Sequence, residues 1–147
     1  MNSNVLSFFA SGSASAPWKL VFLHHPLYSS DLRHGSDLKM QWSIAELGVD
    51  AVFAGHAHEY EQLFYEGIPY FVNGLGGRSK SLPAIHHFGS PLEGSRVRNN
   101  IDYGAQLVTV DEICLNTSFY SRDSDLIDSY TVRKYMFFTA LHGAEDF

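Results

Sequence analysis

Two short apolar runs constrain this chain more than any other feature, because each runs directly into histidines. They are "WKLVFLHHP" at residues 18–26 and "DAVFAGHAH" at residues 50–58. The first, Trp18 to His24, reads as a strand, and its nearly continuous apolar run predicts burial on both faces. Pro26, Ser29, Ser30 and Gly35 mark residues 25–36 as a loop. Ser36 is the predicted N-cap of a helix over 37–47, where Leu38, Trp42 and Ala45 recur at helical spacing and Gly48 ends it. Asp50 to Ala54 reads as a second buried strand. Strand, helix, strand is a βαβ unit, so the two strands are expected to be parallel. Their C-terminal ends then share one edge of the sheet, which is where open α/β sheets build their sites. That edge would carry His24 and His25 from one strand, and His56 and His58 from the other.

Beyond residue 59 the periodicity turns to β. Tyr60–Tyr65 and Ile68–Val72 flank Glu66-Gly67, a hairpin signal. Residues 73–102 are rich in Gly, Pro, Ser and Asn and read as one long loop, of the kind that is usually functional or mobile. Tyr103–Val110, Ile113–Tyr120 and Leu126–Val132 read as antiparallel strands, while the tail from residue 134 shows no clear role. The fold class is therefore α/β, with a parallel βαβ unit followed by antiparallel strands. At the N-terminus, Ala14-Ser15-Ala16 resembles a signal-peptidase site, but no Lys or Arg precedes it and the apolar run is short. Residues 5–10 read better as the last turns of a helix, followed by a Gly/Ser loop.

Composition narrows the function classes. A net charge of -6 argues against a general nucleic-acid binder. No apolar run approaches the roughly 20 residues of a membrane span. The single cysteine, Cys114, excludes an intrachain disulfide and a cysteine-based zinc site. Eight histidines remain, six of them in three local groups. Gly55-His56-Ala57-His58 places two imidazoles on a glycine-led loop, able to reach one metal or two adjacent ones. Unrelated surface or core histidines are the competing reading. His34 alone is an ordinary solvated loop residue, raised only by its place over the same rim. His86-His87 read as a surface pair, and Gly74-Leu75-Gly76-Gly77-Arg78 as a turn rather than a phosphate loop, since no strong helix signal follows. The sequon Asn116-Thr117-Ser118 falls inside a predicted strand and is discounted. The aromatic stripes, including Phe64, Tyr65, Tyr70 and Phe71, read as sheet-face packing.

The segments "LHHPLYSS", "DLRHGSD", "GHAHEYEQ" and "GIPYFVNGLGG", in this order and spacing, resemble the C-terminal half of a calcineurin-like metallophosphoesterase of the purple acid phosphatase type. The resemblance covers roughly residues 17 to 132. It implies the C-terminal half of a double-sheet αββα sandwich, with residues 1–133 as a partial domain and 134–147 as a tail. It implies a metal-dependent phosphoesterase that hydrolyses phosphate monoesters by a metal-bridged hydroxide, using two divalent or trivalent ions of Fe, Zn or Mn. His24 and His56 would ligate one metal and His58 the other. His34 would bind the substrate phosphate and protonate the leaving group. His25 occupies a position that varies in the family and is not expected to be a ligand.

The same resemblance exposes a departure. The family's N-terminal half supplies DxH, GDxx(D/Y) and GN(H/D) motifs, and none occurs here: no Asp lies two residues before a His, and no Gly-Asp pair exists. The expectation is a fragment, a truncated gene model or one piece of a split phosphatase. Three ligands spread over two metals fall short of the three per ion that a catalytic zinc site uses. Weak metal binding and poor turnover are therefore expected of the isolated chain. The alternative is a non-catalytic interaction module whose uncovered apolar faces favour self-association or a partner that supplies the missing half.

Overall fold

The computed structural model describes residues 16–77 and 89–134. Eight strands form two sheets. They are β1 (Leu20–Leu23), β2 (Ala51–Ala54), β3 (Tyr60–Tyr65), β4 (Ile68–Asn73), β5 (Ser95–Asn99), β6 (Gly104–Val110), β7 (Cys114–Ser121) and β8 (Leu126–Arg133). The first sheet has the order β1-β2-β4-β3-β5, and the second is the meander β6-β7-β8. β1 pairs parallel with β2, and β2 parallel with β4, whereas β3 runs antiparallel to both β4 and β5. The expected parallel pair is present, and β4 extends it by one strand. The β3–β4 hairpin turns at Glu66 (φ 49°) and Gly67 (φ 81°), the left-handed pair that a tight two-residue turn requires.

The two faces of the five-stranded sheet bury different cores. One face packs on the meander: Phe53, Tyr60, Phe71 and Leu75 meet Leu115 and Phe119. The Tyr60 and Phe119 rings stack at 4.1 Å and 6°. Tyr60 also donates its hydroxyl to Asp128 at 2.7 Å, which satisfies its polar end inside the contact. Burial of each such side chain contributes about 1.5–3 kcal/mol. The other face, with Val21, Val52, Leu63 and Tyr70, is covered by the long segment between β1 and β2 through Leu27 and Ile44. Asp50 joins the two sheets at one end. Its carboxylate accepts from the Lys19 amide at 2.7 Å and from Lys134 Nζ, past the end of β8, at 2.8 Å.

Four expectations need correction. Residues 37–47 do not form an α-helix; they hold two single 3-10 turns, Leu38–Met40 and Ala45–Leu47. The residues that pack on the core there are Met40, Trp42, Ile44 and Leu47. The first three alternate, as in an extended chain, and Leu38 is 78% exposed. Ser36 is not the cap: Asp37 caps the first turn through the Lys39 amide, and Ser36 Oγ instead accepts from the Ser29 amide at 3.1 Å. Gly48 does end the second turn in the left-handed region (φ 65°). β1 is an edge strand, not buried on both faces, and its Phe22 is 67% exposed. The segment 73–102 is not all loop, because β5 pairs with β3 inside it. The predicted N-terminal helix end, Arg78, His86-His87 and the tail from residue 135 lie outside the described residues. Among the described residues, no helix is long and apolar enough to cross a membrane.

Candidate functional site

β1 and β2 end together. The register pairs Leu23 with Ala54, so the next residues, His24 and Gly55, leave the sheet side by side. The Gly55 amide donates to the His24 carbonyl at 3.1 Å, and the Ala57 amide to the Gly55 carbonyl at 2.8 Å. This tight turn forces His56 into the left-handed region, at φ 64°. A non-glycine residue there carries strain that the surrounding structure must hold, and such strain clusters at functional sites. Its ring is delivered to His24: His56 Nδ1 lies 3.0 Å from His24 Nε2.

His25 joins them. Its ring centroid is 4.3 Å from that of His56 and 4.8 Å from that of His24. One ligand nitrogen from each of His24, His25 and His56 can be chosen so that all lie within 4.8 Å of one another. His34 folds over the same rim, with its ring 4.4 Å from His56 and 5.3 Å from His58. The four histidines singled out in the sequence therefore share one edge, and His25, set aside there, stands among them. The only signal for His25 was its adjacency to a strand end. The donor set of the trio is imidazole alone, which suits borderline cations such as zinc. Burial first, and then the like charges of His34, His25, His24 and His58, hold the His56 imidazole below its usual range. The neutral ring, which is the ligating form, is thereby favoured.

The loop carrying His34 is pinned from beneath by acids that sequence reasoning passed over. Glu59 and Glu61, both fully buried, follow the histidine turn into β3. Glu61 accepts from the Ser30 amide at 2.7 Å, from Ser30 Oγ at 2.5 Å and from Ser95 Oγ at 2.6 Å, with Arg98 Nε at 3.8 Å. Glu59 accepts from Ser29 Oγ at 3.1 Å, while its other carboxyl oxygen makes no hydrogen bond to the described protein groups. Asp31 then accepts the amides of Arg33 and His34, at 2.8 and 2.5 Å, which fixes the backbone beneath the His34 ring. Burial, helped by Glu61 and Asp31, pushes the Glu59 carboxyl up to about 8. It is therefore mostly protonated at neutral pH.

A cleft of about 290 Å³ flanks the rim on the side of the second sheet, bounded by Phe22, Phe53, Gly55, Asn73, Gln106 and Val108. No histidine lines it, so it stands beside the cluster and is not part of it.

A family profile described as calcineurin-like phosphoesterase matches residues 3–60. Fe(3+)-Zn(2+) purple acid phosphatase 12 of Arabidopsis thaliana is 44% identical over 52 residues, which are 31% of this chain and 11% of that one. Purple acid phosphatase 21 of the same plant is 43% identical over 79 residues, 45% of this chain and 18% of that one. These matches thus span less than a fifth of either relative's length. Among solved structures, purple acid phosphatase PPD1 from yellow lupin (Lupinus luteus) seeds superposes with a TM-score of 0.72 at 21% identity, over 88% of this chain and 27% of that one. GAP50, described as the anchor in the inner membrane complex of Plasmodium, gives 0.76 at 18% identity, over 90% and 42%. The two-sheet architecture agrees with the lupin structure, and the histidine-bearing segments lie within the matched profile: over part of its length this chain is similar to calcineurin-like phosphoesterases of the purple acid phosphatase type.

Proposed function

We propose that this chain carries the imidazole share of a metal-dependent phosphoesterase site, acting on phosphate monoesters. In this reading His24 and His56 hold one cation, His58 serves a second, and His34 meets the phosphate. The observation that carries it is the 3.0 Å approach of His56 Nδ1 to His24 Nε2 at the shared end of two parallel strands. The relatives named as phosphatases favour the reaction, and the Fe(3+)-Zn(2+) name of one favours the metals. The imidazole trio fits the zinc better than the harder ferric ion, which prefers oxygen donors.

When bound, the metal supplies polarisation of the phosphoryl oxygen and a lowered pKa for water. The chain's own residues do the rest. Asp31 holds the His34 backbone, so that the ring reaches over the rim. In its protonated form His34 donates a hydrogen bond to a phosphate oxygen, and it gives that proton to the departing alkoxide. His24 and His56 would hold the cation at the strand ends.

The test is hydrolysis of p-nitrophenyl phosphate by the chelator-stripped chain, before and after addition of Zn, Mn or Fe. Metal-stimulated release, lost in His56→Ala together with bound metal, is expected. His34→Ala should lower the stimulated rate on the order of 100-fold while metal content stays. The reading is overturned if added metal gives no release above buffer, or if His34→Ala empties the metal site as fully as His56→Ala.

A second reading, an interaction module, is favoured by the edge strand β1. Its Phe22 is 67% exposed and ends a stacked row, 5.0 Å from Phe53, which stands 5.2 Å from Phe71. Self-association through this edge would show as a concentration-dependent mass in light scattering, lost in Phe22→Ser.

A further inference from the structure

We propose that His24, His25 and His56 form one three-imidazole site for a single zinc-like divalent cation, with His25 as its third ligand. This rests on the cation placed above at His24 and His56, and adds a donor that the sequence pattern does not assign.

Geometry leads the argument. Zinc–nitrogen bonds are about 2.0–2.1 Å, so nitrogens around a tetrahedral ion stand roughly 3.3 Å apart. The His24–His56 pair, at 3.0 Å, is already near that spacing. The trio's widest separation, up to 4.8 Å, must close by about 1.5 Å to reach that spacing. His24 and His25 are exposed, so their rings can swing without repacking a core.

Neighbours on a strand point to opposite faces, which would normally keep His25 away from His24. Here the strand stops at Leu23 and the chain bends through residues 24 and 25. Pro26 then keeps His25 out of the helical region. The outcome is two adjacent rings at 90° to each other, both within 5 Å of the His56 ring.

The strained turn at His56 points the same way. A glycine would relieve the positive φ, yet a histidine stands there, held by the Gly55–His24 and Ala57–Gly55 backbone bonds. The trio leaves a fourth, solvent-facing position, the pattern of a catalytic zinc site, where three protein ligands leave one position open. All-nitrogen donors select Zn, Ni or Cu over Mg, Ca or Mn.

The test uses the whole chain, stripped with chelator, with Zn²⁺ followed by calorimetry and Co²⁺ as a spectroscopic probe. One equivalent should bind, with the intense visible bands of four-coordinate Co²⁺. His25→Ala should weaken Zn²⁺ by more than the roughly tenfold that even an outer partner costs, and lose those bands. Arg33→Ala, an exposed side chain on the neighbouring loop, should leave both within about twofold, well inside that range. His25→Asn, checked by circular dichroism, guards against a folding artefact. The proposal is overturned if both His25 variants bind as the parent does, or if Arg33→Ala is as damaging as His25→Ala. Binding and spectra read the trio directly, so a chain that loads metal but hydrolyses nothing would sink the phosphoesterase reading and leave this one standing.

Discussion

Glu59 sets the chemistry at the scale of single residues. Its carboxyl sits against Glu61 and Asp31 with no exposed surface, and its pKa rises from 4.5 to about 8. Below pH 4.5 the folded and unfolded chains both hold this proton, and its contribution to stability is fully present. Between 4.5 and about 8 the unfolded chain has released the proton while the folded one keeps it. Stability therefore falls as pH rises through that window, by up to about 1.4 kcal/mol per unit. Glu59→Gln keeps an acceptor for Ser29 and removes the ionisation. It should flatten the slope and raise the urea midpoint at pH 8. Parallel pH profiles for parent and variant would reject the assignment. Nothing in "GHAHEYEQ" marks Glu59 as buried, because its burial depends on the loop that folds over it. His24, His25, His56 and His58, by contrast, are legible as a group, since each pair closely follows an apolar run that reads as a strand.

Among the elements, the turn that carries His56 to His58 leans on the end of β4. A Cβ on Gly74 would stand 1.9 Å from the Ala57 carbonyl oxygen, a backbone atom that cannot swing away. Gly74→Ala should cost about 1–3 kcal/mol in urea unfolding and weaken Zn²⁺ binding, because it pushes the histidine turn off its seat. Gly76, which has nothing within 4 Å, is the control, and Gly76→Ala should stay within about 0.5 kcal/mol. If the two variants unfold alike, the close approach is not what holds the turn. The hairpin and the meander are legible because alternation and turn residues agree over their whole length. The segment 37–47 is not. Leu38, Trp42 and Ala45 mimic helical spacing, but Met40, Trp42 and Ile44 are the residues that pack. Gln41 meanwhile donates to the Leu27 carbonyl at 2.8 Å, a tertiary bond that no local pattern encodes. β5, "SRVRN", has too little apolar content to read as a strand. It pairs through its backbone, and its Arg98 faces the buried Glu61.

Over the whole molecule, the two sheets differ in how far along the chain their partners lie. β6, β7 and β8 follow one another, and Asp111 closes the first turn by accepting the amides of Ile113 and Cys114 at 2.8 and 2.7 Å. β1 meets β2 only after residues 24–50 have been looped out, and no α-helix in that described stretch pre-orders the connection. Loop closure must be met before such distant contacts stabilise anything, so local pairings form first. In pulse-labelled hydrogen exchange during refolding, the amides of β7 should gain protection before those of β2, and simultaneous protection would contradict this order. The histidines depend on the slower pairing. They precede the meander in the chain, yet their positions are set late, after the meander has formed the surface on which the five-stranded sheet packs. A cation that bridges the two loops would then act on refolding as well as on the finished site, speeding the step that joins β1 to β2.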